Sequence, residues 1–147
     1  MPFDVQVVVD SSSPHALADW WAEALGWQVE PQDEAFIRRL VESGAAAEAD
    51  TTTHRGVLVW ASGAALTSAE PGRPRVLFQL VPEAKTVKNR LHLDVRVGAD
   101  RQEAEVARLV GLGAREVPWS GGPADADYVI LEDPEGNRFC VVDTSER

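Results

Sequence analysis

Two short segments, EALGWQVE (residues 23–30) and VGLGAREV (residues 110–117), stand at matching places in the chain. Each ends a run with helical spacing at a glycine, Gly26 or Gly113, and opens an extended stretch. Upstream of each glycine lies a strand-like run. Gln6 in FDVQVVVD precedes Gly26 by 20 residues, and His92 in NRLHLDVRV precedes Gly113 by 21. The chain therefore reads as strand, helix and three strands, repeated once. Either half alone would leave one face of its sheet uncovered, so the repeat constrains the fold more than any single motif.

The first half opens with FDVQVVVD and a helix beginning at Pro14, a residue suited to the first helical turn. Leu17, Trp20, Trp21, Ala24 and Leu25 recur at helical spacing. WQVE, VLVWAS (57–62) and RVLFQLVPE (75–83) follow as extended segments. AFIRRLVE (35–42) suits strand or short helix, and residues 43–56 read as a loop. PEAKTVK (82–88) is the connector. The second half continues with NRLHLDVRV, then a helix over 98–113 with Ala104, Val106, Ala107, Leu109, Val110 and Leu112 as its apolar stripe. AREVPW, DYVILED and RFCVVD are extended. Asp133, Pro134 and Gly136 supply the chemistry of a tight turn, which makes Asp133 a turn residue rather than a base.

Composition narrows the function classes. Hydrophobic residues make up 44% of the 147, enough for a packed core, and the repeated strand–helix–three-strand order makes α+β the expected fold class. With 24 acidic and 14 basic side chains the net charge is −10, which disfavours nucleic acid and anionic membrane partners. Cys140 is the only cysteine, so no intrachain disulfide forms. MPFDVQVVVD has no basic stretch followed by an apolar one, so no secretory leader is expected, and a cytoplasmic location is the default. No nucleophile elbow, phosphate loop or dinucleotide fingerprint occurs.

Three segments carry a family likeness: ADWWAEALGWQVE (18–30), KNRLHLDVRVGADRQEAEVARLVGLGAREV (88–117) and LEDPEGNRFCVVD (131–143). Together they resemble the glyoxalase-like, or vicinal oxygen chelate, superfamily. The resemblance implies one glyoxalase-like domain over residues 1–147, with module one at about 1–82 and module two at about 88–147. It implies two βαβββ modules in tandem, forming a curled mixed sheet around a cleft with helices on the convex face. Strand alternation agrees with that picture: Leu91, Leu93 and Val95 would meet the helix, and His92, Asp94 and Arg96 would face away from it.

The resemblance also implies four metal-ligand positions. Counted from the shared motifs, they fall on Gln6, Gln79, His92 and Cys140. Metal-binding relatives offer carboxylates at two of the four positions, and this chain offers an amide and a thiol there. Amide oxygens are weak donors, and one His with one Cys is a thin set. The reading preferred on these grounds is a cleft without the family metal that binds an apolar or aromatic small molecule. The alternative is a metal-dependent lyase, isomerase or dioxygenase, with a divalent metal at those positions or an acid–base site at His92 and Asp94. The five tryptophans suit an aromatic ligand, with Trp60 and Trp119 as candidate walls. Cys140 could act as a nucleophile only beside a base such as His92. His15, in the first helical turn, and His54, in the loop, are expected outside. The resemblance further implies a homodimer.

Overall fold

The computed structural model describes residues 1–118 and 128–143. The chain divides into two compact units, Met1–Glu83 and Ala84–Arg147. Each is a mixed α+β layer. Trp119 lies outside the described residues.

The first unit runs β1 (Val7–Ser11), α1 (Pro14–Leu25), β2 (Gln28–Val29), α2 (Glu34–Glu42), a 3-10 turn (Glu48–Asp50), β3 (Thr51–His54), β4 (Val57–Trp60), β5 (Gly63–Thr67) and β6 (Val76–Leu80). Its main sheet has the order β1-β6-β5-β2, with β1 parallel to β6 and the other pairs antiparallel. Strands β1, β2, β5 and β6 with α1 make a βαβββ module. Helix α2 and the β3–β4 hairpin are inserted between its second and third strands.

The insertion corrects two sequence expectations. Residues 43–56 are not a simple loop, because Thr51–His54 pairs antiparallel with Val57–Trp60. The third strand of the module is not VLVWAS but Gly63–Thr67. AFIRRLVE resolves as helix: Asp33 caps it by accepting the Phe36 N–H at 3.0 Å, and Ile37 is buried beneath it.

The core lies between α1 and one face of the main sheet. Leu17, Trp21 and Ala24 from α1 meet Ala64, Leu66, Val76 and Phe78, all buried. The helix ends as its sequence implies. Gly26 takes φ +66°, and the next residue, Trp27, donates to the Ala22 carbonyl at 3.0 Å.

The second unit runs β7 (Asp94–Arg96), α3 (Gln102–Gly111), β8 (Arg115–Glu116), β9 (Tyr128–Glu132) and β10 (Arg138–Val142). Its sheet order is β7-β10-β9-β8, again with one parallel pair, β7 on β10. Leu109, Leu131, Phe139 and Val141 form its buried core. The apolar stripe of α3 is narrower than its sequence suggests. Leu109 is buried and Val106 half-buried, whereas Ala104, Ala107 and Val110 face solvent, because a short helix on one sheet covers only one row of side chains. The β9–β10 turn is built on Asp133. Its Oδ1 accepts the Glu135 and Asn137 N–H groups, each at 2.9 Å, and Gly136 takes φ +85°.

An ionic cluster on the face of this sheet away from α3 carries a pH prediction. Burial pushes the Glu132 carboxyl up, but Arg115 and Arg138 more than offset this and hold it below the ordinary value of 4.5. A carboxylate depressed by folding contributes stability above its unfolded pKa, and that contribution is lost as pH falls through the folded value. Thermal unfolding should therefore show Glu132→Gln losing less stability than the wild type between pH 7 and about pH 3. An identical loss in both proteins would show that the cluster carries no linkage.

Candidate functional site

The strand that carries His92 is shorter than NRLHLDVRV suggests. Only Asp94–Arg96 pairs as strand, and Leu91 is 88% exposed rather than set against the helix. The reason lies at Asn89. Its side-chain Oδ1 accepts the Arg138 N–H at 3.0 Å, and its Nδ2 donates to the Arg138 carbonyl at 3.2 Å. One side-chain amide thus takes up both backbone groups of Arg138 where a paired strand would do so, and residues 90–92 lie outside the ladder. Ladder contact begins where Cys140 donates its N–H to the Leu93 carbonyl at 2.9 Å. From there the expected alternation holds: His92, Asp94 and Arg96 are exposed, and Leu93, Val95 and Val97 half-buried.

The parallel register sets Cys140 directly beside Asp94. His92 Nε2 lies 3.2 Å from Asp94 Oδ1. The ligating atoms of His92, Asp94 and Cys140 all lie within 4.8 Å of one another. Ile130, opposite Cys140 on β9, borders the group on the side away from Asp94. Burial, followed by the charge of Asp94 and a hydrogen bond with it, pushes the Cys140 thiol up; Lys88 opposes this weakly. A thiol held protonated is a poor nucleophile, which argues against a Cys140–His92 catalytic pair.

Gln6 and Gln79 belong to the first unit. The Gln6 amide oxygen accepts from Arg75 Nη1 at 2.8 Å, and Arg75 also holds Glu30 through two bonds of 2.8 Å. Gln79 is exposed and pairs with Asp10 in the β1–β6 register. Two residues beyond Gln6 stands Val8, whose partner is Leu77. Two residues beyond His92 stands Asp94, whose partner is Cys140. The first unit thus places apolar side chains where the second places donors.

Trp60 sits in the β3–β4 hairpin, outside the main sheet. Its backbone N–H donates to Gln32 Oε1 at 2.8 Å, and its carbonyl is bonded by His15 Nε2 at 2.8 Å. His15 and His54 are not simply solvated. Their rings stack with centroids 5.2 Å apart, and His54 Nε2 lies 2.6 Å from Asp19 Oδ2, which ties the hairpin to α1. The spacing of His15 and Asp19 on one helical face was a legible signal for this contact; the hairpin that brings His54 to it was not.

The divalent metal that the resemblance implies can be tested against these residues. A nitrogen, a carboxylate oxygen and a sulfur from His92, Asp94 and Cys140 form a competent donor set. Tetrahedral coordination by these donors asks for separations of about 3.3–3.6 Å, and His92 Nε2 and Asp94 Oδ1 already stand 3.2 Å apart. The second unit fits a metal. The Gln6 amide oxygen is taken up by Arg75 within the first unit.

The pattern of the family described as "Glyoxalase-like domain" matches residues 6–142. No curated protein matches in sequence. Solved structures are similar in fold at low identity. The fosfomycin resistance protein FosX from Mesorhizobium loti is 8% identical with TM-score 0.64, over 99% of this chain and 94% of that one. A FosX from Listeria monocytogenes, solved with Mn(II) and 1S,2S-dihydroxypropylphosphonic acid, is 7% identical with TM-score 0.63, over 99% and 93%. A glyoxalase/bleomycin resistance protein/dioxygenase family enzyme from Burkholderia phytofirmans is 14% identical with TM-score 0.58, over 92% and 94%.

Proposed function

The chain belongs to the glyoxalase-like domain family of the vicinal oxygen chelate superfamily, and from that premise we propose that it binds an apolar or aromatic small molecule without the four-residue metal set of Gln6, Gln79, His92 and Cys140. One observation carries this reading: on the sheet face away from α1, the first unit presents Val8 and Leu77 where the second presents Asp94 and Cys140. Val8 is 48% exposed, as suits a surface that a ligand covers. The reading includes a homodimer in the cytoplasm, with neither nucleic acid nor membrane as partner. The acidic charge supports the last point, and no helix among the described residues is long and apolar enough to cross a membrane.

The experiment is a screen of aromatic and apolar compounds by tryptophan fluorescence and calorimetry. A saturable signal at micromolar concentration, weakened by Val8→Asp and unchanged by a chelator, is the expected result. Binding that disappears with the chelator would overturn the metal-free reading. A mass of one chain by light scattering would remove the homodimer.

The second reading is metal-assisted chemistry of the lyase, isomerase or dioxygenase kind. It is favoured by the convergence of His92, Asp94 and Cys140. A bound divalent ion would supply Lewis-acid polarisation of substrate oxygens. The chain's own residues would hold the ion and orient the substrate beside Ile130.

A further inference from the structure

We propose that His92, Asp94 and Cys140 form a thiophilic divalent-cation site contained wholly within the second unit, with Asp94 as a donor and with neither Gln6 nor Gln79 taking part. The proposal deepens the second reading by naming the donors and the class of ion, and it needs no catalytic activity to be true.

Three features of the fold build the site. Residues 92 and 94 alternate onto the same side of the chain. The parallel pairing of β7 with β10 then puts Cys140 next to Asp94 rather than one place along. A shift of one residue would turn Cys140 toward α3 and Phe139 or Val141 toward Asp94. The Asn89 clamp on Arg138 anchors one end of the segment from which His92 projects, and the Leu93 carbonyl, bonded by the Cys140 N–H, anchors the other. The result is three different donor atoms within 4.8 Å of one another.

The chemistry selects the ion. A thiolate and a carboxylate together carry the two negative charges that a divalent cation neutralises. Sulfur favours Zn²⁺ and Co²⁺ over Mg²⁺ and Mn²⁺, which prefer all-oxygen or oxygen-rich sets. With the side chains of His92 and Asp94 about half exposed, at 48% and 52%, solvent or a small-molecule ligand can reach a further coordination position. The site therefore differs from the four-position set in both membership and preference. Asp94 is a donor outside those four positions.

The test uses the untagged full chain, freed of metal, and titrated with Co²⁺. Binding should saturate at one ion per chain with a sulfur-to-cobalt charge-transfer band in the near ultraviolet, and Zn²⁺ should displace it. Cys140→Ser should abolish the band. Asp94→Asn and His92→Ala should each weaken Co²⁺ binding by at least tenfold, roughly the loss expected when a metal's coordination is disturbed. Gln6→Ala and Gln79→Ala should leave affinity within about twofold, since neither touches the ion. Wild-type competition between Zn²⁺ and Mn²⁺ supplies a readout that no variant's folding can obscure: Zn²⁺ should win by well over tenfold. The proposal fails if no charge-transfer band appears, if Mn²⁺ competes equally, or if Gln6→Ala weakens binding as much as Asp94→Asn. Failure to bind any metal would leave the small-molecule reading intact. Failure of the ligand screen would leave the cation site intact.

Discussion

Phe139→Ala is expected to cost about 3–5 kcal/mol, as Phe-to-Ala changes in packed cores do. Phe139 is 1% exposed and sits on β10, an interior strand of the second sheet, opposite the fully buried Leu131. Truncation leaves a ring-sized void with strands on both sides, which cannot collapse to fill it. The second unit has a small core, and small cores leave little stability in reserve. The loss is therefore comparable with all that the unit has, and urea unfolding should show it directly. Phe139→Leu should cost far less, about 1 kcal/mol, because a large apolar side chain still occupies the space. Near-native stability of the alanine variant would mean that Phe139 is not the packing centre. Because Cys140 is the next residue, the proposed cation site should be lost with the fold in the alanine variant and kept in the leucine variant.

Gly63→Ala is the second large effect. A Cβ at residue 63 would lie 2.4 Å from the carbonyl oxygen of Phe78. That neighbour is backbone of the adjacent strand, so no side chain can swing aside. The carbonyl of Gly63 is also held by Gln32 Nε2 at 2.9 Å, which resists a shift of β5. Overpacking of this kind costs about 1–3 kcal/mol, and the rigid neighbour places Gly63→Ala toward the upper end. Gly111→Ala is the contrast. Gly111 ends α3 with open space where a Cβ would go, so the same substitution should stabilise by about 0.5–1 kcal/mol through helix propensity and reduced unfolded-state entropy. Denaturant midpoints moving the same way in both variants would refute the steric account of Gly63.

The repeat was legible because its signals are local. Gly26 stops a helix wherever it sits, and Asp133 with Gly136 makes a turn by short-range bonds. What was hidden depended on neighbours far along the chain. GAALT lacks the bulky side chains that announce a strand: Gly63 sits where the Phe78 carbonyl leaves no room for a Cβ, and the small Ala64 and Ala65 follow it. TTTH looks like loop until VLVW folds against it. The candidate site divided in the same way. His92, Asp94 and Arg96 on one face followed from alternation. That Cys140 stands next to Asp94 is a matter of register between β7 and β10, which alternation alone does not fix. The binding of Gln6 by Arg75 joins the start of the first unit to its last strand, and no spacing rule announces it.

The side-chain amide of Asn89 has a consequence for how this region tolerates change. A strand held by backbone pairing can move only in whole-residue steps, and a single step reverses which side chains face out. A segment anchored through one flexible side chain is released from that quantisation. Residues 90–92 lie outside the ladder, while the Cys140 N–H on the Leu93 carbonyl keeps β7 and β10 in register. The imidazole of His92 is thus mounted on a vernier, and its partners Asp94 and Cys140 on a fixed scale. At the proposed cation site, this mounting would let the imidazole settle onto an ion without disturbing the sheet beneath it.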